Sequence, residues 1–154
     1  MRASTLTPFL ALAASSVSAQ FLNQTAPFNL VLLSSNSTIN GSALGACHEG
    51  AAIEGLCLGF ASPFTLNYTA STNPTPTIGT YGYLTYELRG GNFNLSSPMS
   101  LIYNPTSNVA IPLFEPSNSG TEVAFLGDRL NIPGWIDDTV YPVSEVPKAY
   151  FRWL

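Results

Sequence analysis

Apolar residues along this chain gather in short runs that alternate with polar neighbours or stop at glycine and proline. Phe28–Leu33 (FNLVLL), Ile53–Phe60, Phe64–Tyr68, Thr80–Leu88, Met99–Tyr103, Val109–Phe114, Val123–Leu126 and Tyr150–Trp153 are each rich in β-branched or aromatic residues, so each predicts a strand. The alternation is clearest in Tyr81–Leu88. There Leu84, Tyr86 and Leu88 fall on one face and Tyr81, Tyr83 and Glu87 on the other. Arg89-Gly90-Gly91-Asn92 supplies the permissive backbone for a hairpin into Phe93, and Asn118-Ser119-Gly120 supplies another between Phe114 and Val123. Pro112 lies inside a run and restricts it to an edge or bulged strand. No window beyond the N-terminal segment sustains a 3.6-residue apolar period. Ser42–Ala52 is interrupted by Gly45 and Gly50 and reads as an irregular loop, and Ser71–Thr77 (STNPTPT) as an exposed one. Strands of this length and spacing predict an all-β protein, an antiparallel sandwich or flattened barrel, with a β-trefoil-like barrel as the alternative.

The N-terminal segment changes the picture of where this domain works. Arg2 precedes the short apolar run Leu6–Ala14, and Val17 and Ala19 place small residues at the two positions before a cleavage site. Residues 1–19 therefore read as a signal peptide, too short in its apolar run to span a bilayer, and residues 20–154 as one secreted, extracellular β-domain. Charged residues make up only 9% of the chain, against roughly 25% in an average soluble protein. With Arg2 removed, Arg89, Arg129, Lys148 and Arg152 face nine acidic residues. Such a surface repels phosphate backbones, which argues against nucleic acid as a partner. Neither a membrane anchor nor a cofactor is expected.

With so few charges, solubility points to glycans. Asn23, Asn36, Asn40, Asn67 and Asn94 each begin an Asn-x-Ser/Thr acceptor, whereas Asn73 and Asn104 are followed by proline and are blocked. Cys47 and Cys57 are the only cysteines, and an even count in an oxidising compartment predicts one disulfide.

The densest chemistry lies between those cysteines, in Cys47-His48-Glu49-Gly50-Ala51-Ala52-Ile53-Glu54-Gly55-Leu56-Cys57. A zincin helix needs a second histidine four residues after His48, and that position is Ala52. Metal would have to rest on His48, Glu49 and Glu54 alone, so no metal site is assigned. His48 is instead expected to be partly buried and hydrogen-bonded within a tight loop. No GxSxG elbow is present. Glu49, Glu54, Glu87, Glu115 and Asp137-Asp138 offer carboxylates for glycoside hydrolysis, but any small acidic protein offers as many, and no catalytic residue is assigned. Tyr81 and Tyr83 on a sheet, with Trp135 in a loop, are the candidate binding residues, as rigid amphipathic rings on which a sugar could stack.

At CHEGAAIEGLC the chain resembles a family of uncharacterised secreted proteins from filamentous ascomycete fungi. Phe28-Asn29-Leu30, Asn40-Gly41, Leu44 and the closing Tyr150-Phe151-Arg152-Trp153 fit the same pattern. The resemblance implies a fungal, extracellular origin and carries no catalytic residues. Similar family members continue past the Phe-Arg-Trp element with further aromatic and cysteine-containing strand sequence, so the domain is expected to be incomplete at its C-terminus. The function expected is that of a non-catalytic binding protein of the cell wall or host interface, with a glycan or wall polymer as partner. A secreted glycan-acting enzyme and a structural matrix component are the alternatives.

Overall fold

Thr80–Arg89 is the organising strand, because its two faces differ so sharply in polarity. In the computed structural model, which describes residues 23–68, 80–103, 110–135 and 148–150, it is β6 of eleven strands. The others are β1 (Asn23–Gln24), β2 (Leu30–Val31), β3 (Ala43–Gly50), β4 (Ile53–Leu58), β5 (Phe64–Tyr68), β7 (Asn94–Tyr103), β8 (Ala110–Phe114), β9 (Glu122–Leu126), β10 (Arg129–Trp135) and β11 (Lys148–Tyr150). Every pairing is antiparallel. They form one ladder in the order β11-β10-β9-β6-β7-β8-β4-β3-β2, with β5 on the other edge of β6 and β1 beyond β5.

The ladder folds back on itself at β7. Residues Asn94–Pro98 pair with β6, and Met99–Tyr103 pair with β8. The change of partner falls at Pro98, and a strand that switches sheets at such a bend makes the corner of a sandwich. Backbone groups freed at the corner are sealed by the β8–β9 connection. Thr121 N–H donates to Met99 C=O at 2.8 Å, Leu101 N–H donates to Thr121 Oγ1 at 2.9 Å, and Glu115 N–H reaches Pro98 C=O at 3.4 Å.

The folding brings two apolar faces together. Phe64, Leu66, Leu84 and Val123 from one half meet Leu30, Met99, Leu101 and Phe114 from the other. Phe64 stacks on Phe114 with ring centroids 5.3 Å apart, and Phe28 meets Phe125 edge-on at 5.3 Å. The fold is thus all-β and antiparallel, a flattened sandwich in which the segment carrying β1, Phe28 and β2 runs from β5 to β3 and joins the two halves along that edge.

The alternation in β6 holds, with Leu84 fully buried, Tyr86 against Phe64 and Phe114, and Glu87 exposed. Four local expectations are corrected. Ser42–Ala52 is not an irregular loop but β3 and the turn after it. The run at Met99 begins five residues earlier, at Asn94. Asn118-Ser119-Gly120 does not close a hairpin: β8 pairs with β7 and β4, and β9 with β6 and β10, so this connection crosses between the halves. Trp135 ends a strand, β10, and does not sit in a loop. The N-terminal segment, Ser71–Thr77, Asp137-Asp138 and residues 151–154 lie outside the described residues.

Candidate binding faces

Each half of the sandwich turns its second face outward, and the two outer faces differ in chemistry. On the β3–β4 half, strand register explains the disulfide. Cys47 lies opposite Gly55, and Cys57 lies opposite Gly45, so the two cysteines are diagonal neighbours across the hairpin. They are bonded, with Cα atoms 5.8 Å apart. The two glycines opposite the cysteines leave room for different neighbours. A Cβ at Gly45 would lie 2.5 Å from the ring of Phe60, which covers that position, and one at Gly55 would lie 3.3 Å from Cys47 Sγ. The two-residue turn between the strands, Ala51-Ala52, has φ of 38° and 66°, the left-handed pair that a type I′ hairpin needs.

The same register divides the hairpin's chemistry. His48 pairs with Glu54 on the face that carries Leu44 and Leu56 into the core, while Cys47, Glu49 and Cys57 share the outer face. His48 Nδ1 lies 3.1 Å from Glu54 Oε1, and the carboxylate is buried. The histidine is hydrogen-bonded as expected but is not partly buried: its side chain is 70% exposed. Glu54 is flanked by β8 through its pairing with Phe114, whereas β2 pairs with β3 only at Ala43 and Leu44 and does not reach His48. The His48, Glu49 and Glu54 set is therefore split between two faces. Cys47 Sγ, Cys57 Sγ and a Glu49 carboxylate oxygen lie within 4.8 Å of one another, but the two sulfurs are spent on each other and leave one carboxylate as a ligand.

Across the outer face of the other half runs a single polar row. Gln24 is opposite Asn67, Asn67 opposite Tyr83, and Tyr83 opposite Glu122, spanning β1, β5, β6 and β9. Gln24 Nε2 donates to Asn67 Oδ1 at 2.9 Å and to Thr65 Oγ1 at 3.1 Å. Tyr81 and Tyr83 are half-buried on this face, and Glu122 is exposed at its edge. Trp135 belongs to the same half of the ladder through β10. Sequence reasoning found the tyrosines but missed Gln24, Asn67 and Glu122 as their neighbours, because only strand register places residues so far apart in one row.

The acceptor asparagines separate by environment. Asn36 and Asn40 occupy the exposed turn between β2 and β3. Asn36 Oδ1 accepts from Thr38 N–H at 3.0 Å, and Asn40 Oδ1 from Ser34 N–H at 2.9 Å. In both, the carbonyl oxygen shapes the turn and the amide nitrogen has no partner among the described residues. Asn94 is exposed at the start of β7, and Asn23 is half-buried in β1. Asn67, in contrast, is only 3% exposed.

A groove of about 390 Å³ opens on the disulfide face between β4 and β8, and it holds one carboxylate, Glu49. Among the described residues there is no helix long and apolar enough to cross a membrane. No family model, curated protein or solved structure matches this chain.

Proposed function

We propose that this chain is a secreted, glycosylated, non-catalytic binding protein of an ascomycete fungus, and that it holds a glycan or wall polymer against the outer face of β5, β6 and β9. The observation that carries the reading is the row Gln24–Asn67–Tyr83–Glu122, which sets a phenol ring between an amide and a carboxylate on adjoining strands. Neighbouring strands lie about 4.8 Å apart, so such a row offers a ring for stacking with the exposed Glu122 carboxylate beside it, while the buried Asn67, held by Gln24, braces its other side. A disulfide and a low-charge surface with exposed Asn-x-Ser/Thr acceptors support the extracellular part of the proposal. Glycoside hydrolysis calls for two carboxylates facing one cleft, and the groove on the opposite half offers only Glu49.

The test is co-sedimentation of the full chain, secreted from a eukaryotic host, with chitin, β-glucan and cellulose, alongside a glycan array. Binding to one polymer is expected, weakened about three- to tenfold by Tyr83→Ala and largely kept by Tyr83→Phe. Failure to bind any polymer, or binding unchanged in folded Tyr83→Ala and Tyr81→Ala proteins, would overturn the proposal.

A further inference from the structure

The groove on the disulfide face has a cause in the backbone. Ala46 N–H donates to Ser62 Oγ at 2.9 Å, on the side of β3 away from β4. Since Ala46 is opposite Leu56, the backbone groups of Leu56 also point away from their partner, toward β8. The β4–β8 ladder pairs Glu54 with Phe114 and Gly55 with Leu113, and the next pair would be Leu56 with Pro112. Proline has no N–H to give the Leu56 carbonyl. The ladder stops there and the strands diverge, while β8 stays fully paired to β7 on its other edge.

We propose that this fork is a docking groove for an extended, apolar peptide segment carrying one lysine or arginine. Ile53, Gly55, Cys57, Ile111 and Leu113 line it, and Glu49 supplies its one charge. None of these side chains donates a hydrogen bond: the lining offers the Glu49 carboxylate, and the backbone adds the Leu56 carbonyl, which has no N–H opposite it at Pro112. An occupant must bring apolar side chains, hydrogen-bond donors and a positive charge. An extended peptide brings the first two through alternating side chains and backbone N–H groups, and a basic residue brings the third. A sugar would leave the apolar walls of Ile53, Ile111 and Leu113 uncovered, a lipid chain would leave the carboxylate and the carbonyl unanswered, and a second copy would set one acidic chain against another. Ile111 stands 54% exposed at the rim, beside Ile102 of β7 at 47%, apolar surface that such a segment would cover. The site lies on the other half of the sandwich from the tyrosine row and does not depend on the glycan reading.

The experiment titrates the isotope-labelled full chain, disulfide intact, with a blocked heptapeptide of alternating valine and threonine bearing a central lysine. A matched peptide with a central glutamate serves as the comparison, and both are followed by amide chemical shifts. Saturable shifts are expected at Gly55, Leu56, Ile111 and Leu113, with the lysine peptide bound about three- to fivefold tighter. Glu49→Gln is expected to remove that preference while leaving the fold unchanged. Absence of saturable shifts at these residues overturns the proposal. So does a lysine preference that survives in Glu49→Gln, or groove shifts that follow protein concentration without peptide, which would make the face a self-association surface.

Discussion

Gln24 donates its side-chain amide to Asn67 Oδ1 at 2.9 Å, and this one bond joins β1 to the middle of the sandwich's polar outer face. Asn67 also begins an Asn-x-Thr acceptor, so the bond sets structure against modification at the same side chain. An attached glycan has to project into solvent from the amide nitrogen. Asn67 is 3% exposed, with no room for one, whereas Asn36, Asn40 and Asn94 are exposed.

When the chain is secreted from a glycosylating host, site mapping by mass spectrometry should therefore find glycans at Asn36, Asn40 and Asn94. Asn67 should be essentially unmodified in folded protein. Majority occupancy of Asn67 would mean that the β1–β5 pairing is not the native one.

The turn at Ala51-Ala52 carries two non-glycine residues in left-handed backbone, at φ 38° and 66°. Alanine in that region costs about 1–2 kcal/mol per residue relative to a relaxed conformation, and Asn-Gly is the pair that a type I′ hairpin prefers. Replacing Ala51 by Asn and Ala52 by Gly should stabilise the domain by about 1 kcal/mol and raise Tm by a few degrees. An unchanged or lower Tm would show that the turn is not strained in this sense.

How much of this was legible in the sequence depends on what each residue was doing. Leu84 and Tyr86 announced an apolar face, and they lie against the core because period-two alternation survives wherever one side of a strand is buried. Pro112 argued for an edge or bulged strand, yet β8 lies between β7 and β4 without a register shift, and only the β4 ladder stops short of the proline. Gly45 and Gly50 misled because glycine is ambiguous. In β3 Gly45 is a packing device under Phe60, which propensity alone cannot distinguish from a breaker. β10 was hidden by Asn131, Pro133 and Gly134, although Gly127-Asp128, with Gly127 at φ 59°, is a two-residue hairpin signal placed just before it. The polar row on the tyrosine face was out of reach for a different reason: Gln24 and Glu122 become neighbours of Tyr83 only through pairings of β1, β5, β6 and β9.

At the hairpin's tip Glu54 is 6% exposed, and His48 Nδ1 at 3.1 Å is its side-chain partner. Removing the imidazole takes away the side-chain partner that the carboxylate has among the described residues. His48→Ala should lower stability by about 1–2 kcal/mol in urea unfolding. Pairing it with Glu54→Leu should recover most of the loss, because the carboxylate lies on the face where Leu44 and Leu56 already pack. A double variant no more stable than the single one would contradict this account of Glu54.

Gly45 and Gly55 stand opposite the two cysteines, yet a methyl group would meet different neighbours at the two sites. At Gly45 it would lie 2.7 Å from the Phe60 carbonyl oxygen, backbone that cannot step aside, as well as 2.5 Å from the ring. At Gly55 its nearest neighbour would be Glu49 Oε1 at 2.9 Å, the end of an exposed side chain that can rotate away, followed by Cys47 Sγ at 3.3 Å. Gly45→Ala should therefore lose about 1–3 kcal/mol, and Gly55→Ala less than about 1 kcal/mol. Both variants should still form the disulfide, read as the absence of free thiol after denaturation without reductant. Breaking the bond itself, in Cys47→Ser with Cys57→Ser, should lose a further 2–3 kcal/mol or so by releasing the unfolded chain from a short closed loop. Urea unfolding of the three proteins checks the order. If Gly55→Ala proves more damaging than Gly45→Ala, the ring of Phe60 does not lie where it is placed, and the disulfide face is packed differently from the way described.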